Sequence, residues 1–173
     1  HAHSKGMLLR MDGARISNAA ASLGVSLRAI TRDAGVDVLS FGGTKNGLMG
    51  AEAIVVFTPE AAPGLKYLTK MNMQLASKMR FASAQLVALL EGDLWHRNAH
   101  HANKMAALLR SSLDDVAGLT FTNPTEANGV FVILPAGVAD ELRKEFRFYD
   151  WNPATGEVRW MCAWDTTVDD VEA

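Results

Sequence analysis

The sequence predicts an α/β protein in two parts: a portion of an open sheet of strands and helices, then connecting helices and a small α+β unit. Three observations carry this prediction. From His1 to about residue 70, apolar runs alternate with helical stretches punctuated by glycine, the order expected of an open α/β sheet. Two of those runs, VDVLSF (36–41) and AEAIVVF (51–57), flank the loop GGTKNG. In the last third, LTFT, GVFVIL and EVRWMCAW read as strands, with ADELRKEF a helix between the second and third, which makes the α+β unit. The division falls at residue 70, with 1–70 the sheet portion and 71–173 the connecting helices and small domain.

MLLRM (7–11) is a short apolar run ending at Asp12-Gly13, so it is expected to be a strand that delivers Asp12 to its tip. Ser17 or Asn18 opens a short helix through Leu23, and Gly24 stops it. Ser26 then caps a second helix, LRAITRDAG, with Gly35 as its stop. Strands follow at 36–41 and 51–57. From Pro59 to about Ala117 the pattern is helical. Pro59 suits a first turn, Pro63-Gly64 interrupts, and MNMQLASKMRFASAQLVALL repeats apolar residues at three and four. After a break near Gly92-Asp93, Trp95 to Leu113 continues in helical register, while Asn123-Pro124 and Asn152-Pro153 mark turns.

Composition excludes several function classes. The 173 residues are 49% hydrophobic and carry 17 Lys+Arg against 19 Asp+Glu, a net charge of -2, with no basic block. Nothing therefore points to nucleic acid or an anionic membrane, and the expected partner is a small molecule. A single cysteine, Cys162, rules out an internal disulfide framework and suits a reducing, cytoplasmic setting. HAHSKGMLLR lacks the layout of a signal peptide, and no apolar run reaches membrane-spanning length.

The chemistry concentrates in two loops. Ligands in open α/β sheets sit beyond the carboxyl ends of strands, where both Asp12 and Lys45 are expected. The pair has two readings: an ion pair or unrelated loop charges, or a cofactor site. In the second, lysine forms a Schiff base with pyridoxal phosphate (PLP) and a carboxylate keeps the ring nitrogen protonated. Arg80, in SKMRF, reads on spacing alone as a solvated helix position. Arg159 lies in the apolar and aromatic run EVRWMCAW, where an unpaired guanidinium is costly to bury, so an anion is expected for it.

The residues themselves go further than spacing. MDGARISNAAA, DVLSFGGTKNGLMGAEAIVVF, LASKMRFASAQLVALLEGDLW and EVRWMCAWDTTVDDVEA together resemble the PLP-dependent threonine aldolases, of the aspartate-aminotransferase fold family, along nearly the whole chain. The resemblance implies the C-terminal half of a fold-type-I PLP-dependent enzyme: part of the large-domain sheet, the connecting helices and the small C-terminal domain. It implies that Lys45 is the covalent anchor of the cofactor and that Asp12 pairs with the pyridine nitrogen. Arg15 reaches the phenolic oxygen and the substrate side, and Thr44 contacts the phosphate through its hydroxyl. Gly42 and Gly43 let the backbone approach the cofactor. Arg80 is implied near the phosphate, across a subunit interface, and Arg159 is implied to hold the substrate carboxylate in a two-pronged fork.

The implied reaction is cleavage of L-threonine, L-allo-threonine and related β-hydroxy-α-amino acids to glycine and an aldehyde. Arg159 and Arg15 are expected to hold the carboxylate so that the Cα–Cβ bond is the one aligned for breaking. The rivals are a related PLP-dependent β-eliminating lyase or aminotransferase, and a non-catalytic fragment. A homodimer or homotetramer is implied. The family's ring-stacking histidine and glycine-threonine phosphate cradle, which belong to its N-terminal half, are not among these residues. The chain is therefore expected to be inactive without that half. Arg10 and Leu9 stand where family members commonly carry a histidine. His96 and His100 share a helical spacing that invites a metal reading, but Asp93 is the one close carboxylate and reads as a cap, so no metal is assigned. Met71, Met73 and Met79 are expected to fill core, and Trp95, Trp151, Trp160 and Trp164 to pack.

Overall fold

The computed structural model describes residues 1–173, which form two compact units, residues 1–98 and 99–173. The first is built on a three-stranded sheet of β1 (Arg10–Gly13), β2 (Val38–Gly42) and β3 (Glu52–Val56), in that order. β1 and β2 run parallel, with Arg10 opposite Val38 and Asp12 opposite Ser40; β2 and β3 run antiparallel, with Gly42 opposite Glu52. Helix α1 (Ile16–Leu23) leaves β1 within a few residues and ends at Gly24, whose φ of 65° suits a residue without Cβ. Ile16, Val36, Leu39, Phe41 and Leu89 form the buried core, and β3 sends Ala53 and Val55 to it while Ile54 stays exposed.

Two expectations in this unit need correction. The first strand begins at Arg10 rather than Met7, so Asp12 lies within β1 and not past its tip. The reason is the partner: β2 offers rungs only from Val38, while Met7 and Leu8 remain exposed. Residues 27–35 are consecutive turns instead of a helix. Their hydrogen bonds are local and irregular. Ser26 Oγ accepts from Ala29 N, Thr31 Oγ1 donates to Leu27 O, and the Arg28–Asp33 ion pair spans 3.0 Å. Side chains that bond their own neighbourhood offer the backbone an alternative to a helix.

The helical region is also more divided than its periodicity suggests. A 3-10 turn at Pro59–Ala61 precedes α2 (Leu65–Met71), α3 (Met79–Leu90) and α4 (Leu94–Ser112). Gly64 and Gly92 mark two of the breaks with positive φ, as the sequence predicts. The stretch 72–78 is a further break, at Met73, a non-glycine residue with φ 56°. Met71, Met73 and Met79 are consequently surface residues, Met73 being 90% exposed, and not core filler.

The second unit contains residues 99–112 of α4 and a four-stranded antiparallel sheet ordered β4 (Thr120–Phe121), β5 (Gly129–Ile133), β7 (Glu157–Met161), β6 (Tyr149–Asn152). Helix α5 (Val138–Leu142) falls between β5 and β6. Val130, Val132, Val158 and Cys162 are buried against Met105, Ala106 and Leu134. Strand β6 and the terminal helix α6 (Val168–Glu172) go beyond the sequence prediction. α6 opens with a capping box, in which Thr167 Oγ1 accepts from Asp170 N and the Asp170 carboxylate accepts from Thr167 N.

Candidate active site

The parallel pair β1–β2 presents two segments at its carboxyl edge. Asp12, exposed near the end of β1, accepts a hydrogen bond from Ala14 N at 3.0 Å, a short-range bond that turns the chain toward Arg15 and α1. Lys45 sits on a 3-10 turn, Thr44–Asn46, three residues past the end of β2, and its side chain is exposed. No ion pair joins Lys45 to Asp12, so the two charges are not spent on each other.

Glycines bring the segments together. A Cβ on Gly13 would lie 2.9 Å from Ser40 O and 2.6 Å from Leu39 Cδ1; one on Gly42 would lie 2.6 Å from Ala14 O. Each glycine therefore lets its own segment rest on the main chain of the other. Gly42 and Gly43 thus also serve packing within the chain, since a Cβ on Gly43 would stand 2.5 Å from Ala51 O.

The lysine loop is held at both ends. Thr44 N donates to Glu52 Oε1 at 3.2 Å across the mouth of the loop. Asn46, 3% exposed, donates from Nδ2 to Trp95 O at 2.9 Å, and its own carbonyl accepts from Asn98 Nδ2 at 2.9 Å. Both partners stand in the first turns of α4, so the residue beside Lys45 is bonded to a helix far along the chain. Sequence reasoning missed Asn46. Its one signal is a polar residue between a lysine and a glycine, and nothing local says what it meets.

Arg15 is half-buried at the start of α1, within the Asp12 segment. The Thr44 hydroxyl is exposed beside Lys45. Arg80 stands exposed in the first turn of α3, its guanidinium 5.0 Å from the Phe81 ring centroid. It has no hydrogen bond or ion pair to Asp12 or Lys45. An amine and a carboxylate on interlocked segments are the two groups that a pyridine aldehyde cofactor requires at its carbonyl and its ring nitrogen, so the donor set fits PLP. Asp93, considered as a metal ligand with the histidines, is instead paired with Arg97 at 3.0 Å.

Asp37 ties together the opposite, amino end of the same two strands. Buried at 5% exposure, it accepts from Leu9 N at 2.7 Å, from Thr58 Oγ1 at 2.7 Å and lies 2.8 Å from His3 Nε2. The Leu9 amide first, then the Thr58 hydroxyl and His3, hold its carboxyl down to about 2.

In the second unit, Arg159 lies on β7 between Phe131 of β5 and Tyr149 of β6. Its guanidinium stands 4.8 Å from the centroid of the Trp151 ring, and its buried Nε has no hydrogen-bond acceptor. The nearby carboxylates are taken: Glu157 accepts from Thr122 Oγ1, and Asp150 pairs with Arg143. The expected anion for Arg159 is thus not supplied by this unit. An apolar cleft in the same unit, lined by Leu109, Leu134, Val138, Leu142, Phe148 and Trp160, carries none of the candidate residues.

Comparison with known proteins identifies the family and the fold. Residues 1–136 match the family model described as beta-eliminating lyase. The chain is 47% identical over 167 residues to a low specificity L-threonine aldolase of Pseudomonas aeruginosa, covering 96% of this chain and 48% of that protein. A low specificity L-threonine aldolase from a Pseudomonas sp. strain is 49% identical over 162 residues, with coverages of 93% and 46%. A solved structure of Leishmania major threonine aldolase superposes with TM-score 0.86 at 29% identity, over 98% of this chain and 50% of that one. The chain thus spans about half the length of the curated relatives it matches, and its architecture is that of part of a fold-type-I protein.

Proposed function

Since this chain belongs to the beta-eliminating lyase family, we propose that the protein carrying it is a PLP-dependent aldehyde-lyase. Its substrates are L-threonine, L-allo-threonine and related β-hydroxy-α-amino acids, and its products are glycine and an aldehyde. The observation that carries this reading is the interlock of the Asp12 and Lys45 segments through Gly13 and Gly42 at the carboxyl edge of β1 and β2. The likeness to two low specificity L-threonine aldolases supports this choice of reaction.

Lys45 holds the cofactor covalently, and Asp12 faces its ring nitrogen, where a carboxylate favours the protonated form. Arg15 serves the phenolic oxygen and the substrate side. The Thr44 hydroxyl meets the phosphate, its amide being already given to Glu52. Arg80 meets the phosphate as well, from the surface of α3. Arg159 takes the substrate carboxylate in a two-pronged fork that sets which Cα bond is aligned for cleavage. PLP, when bound, supplies the electron sink for that bond.

A related β-eliminating lyase is the second reading, favoured by the description of the matching family. Products separate the two: glycine plus aldehyde for the aldolase, a keto acid for the eliminating enzyme. The protein is further proposed to act in the cytoplasm as a homodimer or homotetramer. Exposed Leu68, Met71, Leu75, Phe81 and Val87 support an assembled state, because so many large apolar side chains call for cover by further chain or by a second copy. No helix is long and apolar enough to cross a membrane.

The test uses full-length protein. Borohydride should fix the cofactor on Lys45, and Lys45→Ala should remove both the fixable absorbance and turnover of L-threonine. Asp12→Asn should still bind cofactor while cleavage falls steeply. A reducible cofactor on another lysine, or normal turnover in Asp12→Asn, overturns the assignment.

A further inference from the structure

Strand β6 departs from regular pairing at one place. Asp150 is opposite Val158, yet Asn152 is opposite Glu157, so Trp151 is the extra residue of a β-bulge. Bulges re-aim side chains and are over-represented beside active sites. This one is fixed by the turn after it, where Asn152 Oδ1 accepts from Ala154 N at 3.1 Å and Asn152 O accepts from Thr155 N at 3.2 Å.

The bulge places the Trp151 ring 4.8 Å from the Arg159 guanidinium carbon and 5.2 Å, at 71°, from the ring of Phe131. Phe131 pairs with Arg159 on the other side of β7. Three side chains from three strands therefore form one platform, with the cation in the middle. Trp151 remains 52% exposed, so packing into the core does not account for its position. Trp151 does pack, as the sequence reading expects, but on Phe131 and Arg159 at the sheet surface and not in the core.

A guanidinium laid against an aromatic face keeps its charge, and its N–H donors project in its own plane rather than into the ring. The charge is not spent internally, since Glu157 and Asp150 have other partners. We propose that Trp151 is a positioning residue: it fixes the orientation of the Arg159 fork before the substrate carboxylate arrives. Phe131 holds Trp151 in turn. Preorganisation of this kind strengthens binding by removing the ordering cost from the binding step. The inference rests on the reading of Arg159 as the carboxylate site.

The test compares Trp151→Leu, which keeps apolar cover but has no π face, with Trp151→Phe, which keeps one. Both are made in the full-length, cofactor-loaded protein. Glycine is the probe, glycinamide is the control lacking a carboxylate, and binding is read from the cofactor's visible absorbance. Trp151→Leu should raise the glycine dissociation constant by roughly three- to thirtyfold and leave that of glycinamide unchanged. Trp151→Phe should recover most of the loss. Equal behaviour of the Leu and Phe variants, or equal weakening of glycine and glycinamide, overturns the role of Trp151. Arg159→Lys, run alongside, separates the premises: if it does not weaken glycine relative to glycinamide, the carboxylate reading itself fails.

Discussion

Gly42 lies so close to Ala14 that a Cβ on it would stand 2.6 Å from the Ala14 carbonyl oxygen and 2.7 Å from Ala14 Cα. The two residues belong to the two segments that carry Lys45 and Asp12. Neither neighbour is a flexible side-chain end that could step aside, so the approach fixes how far apart the main chains of the two segments lie.

Gly42→Ala should therefore force the segments apart. The expected cost is about 1–3 kcal/mol from overpacking, read as a lowered denaturant midpoint. Cofactor affinity should fall with it, since the two segments that carry Lys45 and Asp12 no longer keep their spacing. A variant of unchanged stability and cofactor binding would show that the contact sets nothing.

Asn46→Ala removes the donor to Trp95 O and leaves that carbonyl without its side-chain partner. A loss of about 0.5–1.5 kcal/mol is expected for this part-buried hydrogen bond. Because the clamp sits beside Lys45, the rate of cofactor attachment to the lysine should slow as well, measured as the growth of absorbance on adding PLP to the apoprotein.

Asp37 gives the pH dependence. Its carboxyl is held at about 2, below its ordinary 3.8, mainly by the Leu9 amide and then by the Thr58 hydroxyl and His3. The folded state thus favours the ionised form. Its stabilisation is complete above about pH 4 and is lost as pH falls toward 2. Equilibrium unfolding followed across this window should show a steeper decline in the parent than in Asp37→Asn, whose amide does not titrate.

Cys162 is buried, and loss of hydration pushes its thiol up to about 11. It should resist iodoacetamide at pH 8 in the folded protein and react readily after denaturation, as mass spectrometry would record. Rapid modification of the native thiol would contradict its burial in the second unit.

Much of the fold was legible in periodicity and punctuation. Gly24 closes α1, VDVLSF and AEAIVVF become β2 and β3, and α4 follows the pattern from Trp95 onward. The exceptions have physical reasons. Residues 27–35 carry helical spacing but satisfy their polar groups locally. β6, YDWN, is exposed at every residue and so has no alternating apolar signature to read. For the site, Asp12 and Lys45 stand out because each is a charge beside glycine and small residues, one near the end of a short strand and one in a short loop. Asn46 and Trp151 do not, because what gives them meaning is distant: a carbonyl 49 positions along the chain for one, and a guanidinium across a bulge for the other.

The Asp37 carboxylate draws together residues 28, 21 and 34 positions away. None of these contacts is local, so their gain arrives only after several chain loops have closed, and loop closure costs entropy before any contact repays it. Such a residue belongs to the late part of the folding route. Replacing it should leave the folding limb of a chevron nearly unmoved and steepen nothing there, while the unfolding limb rises to faster rates. The buried carboxylate is in this sense a latch that determines how long the sheet stays closed rather than how quickly it forms.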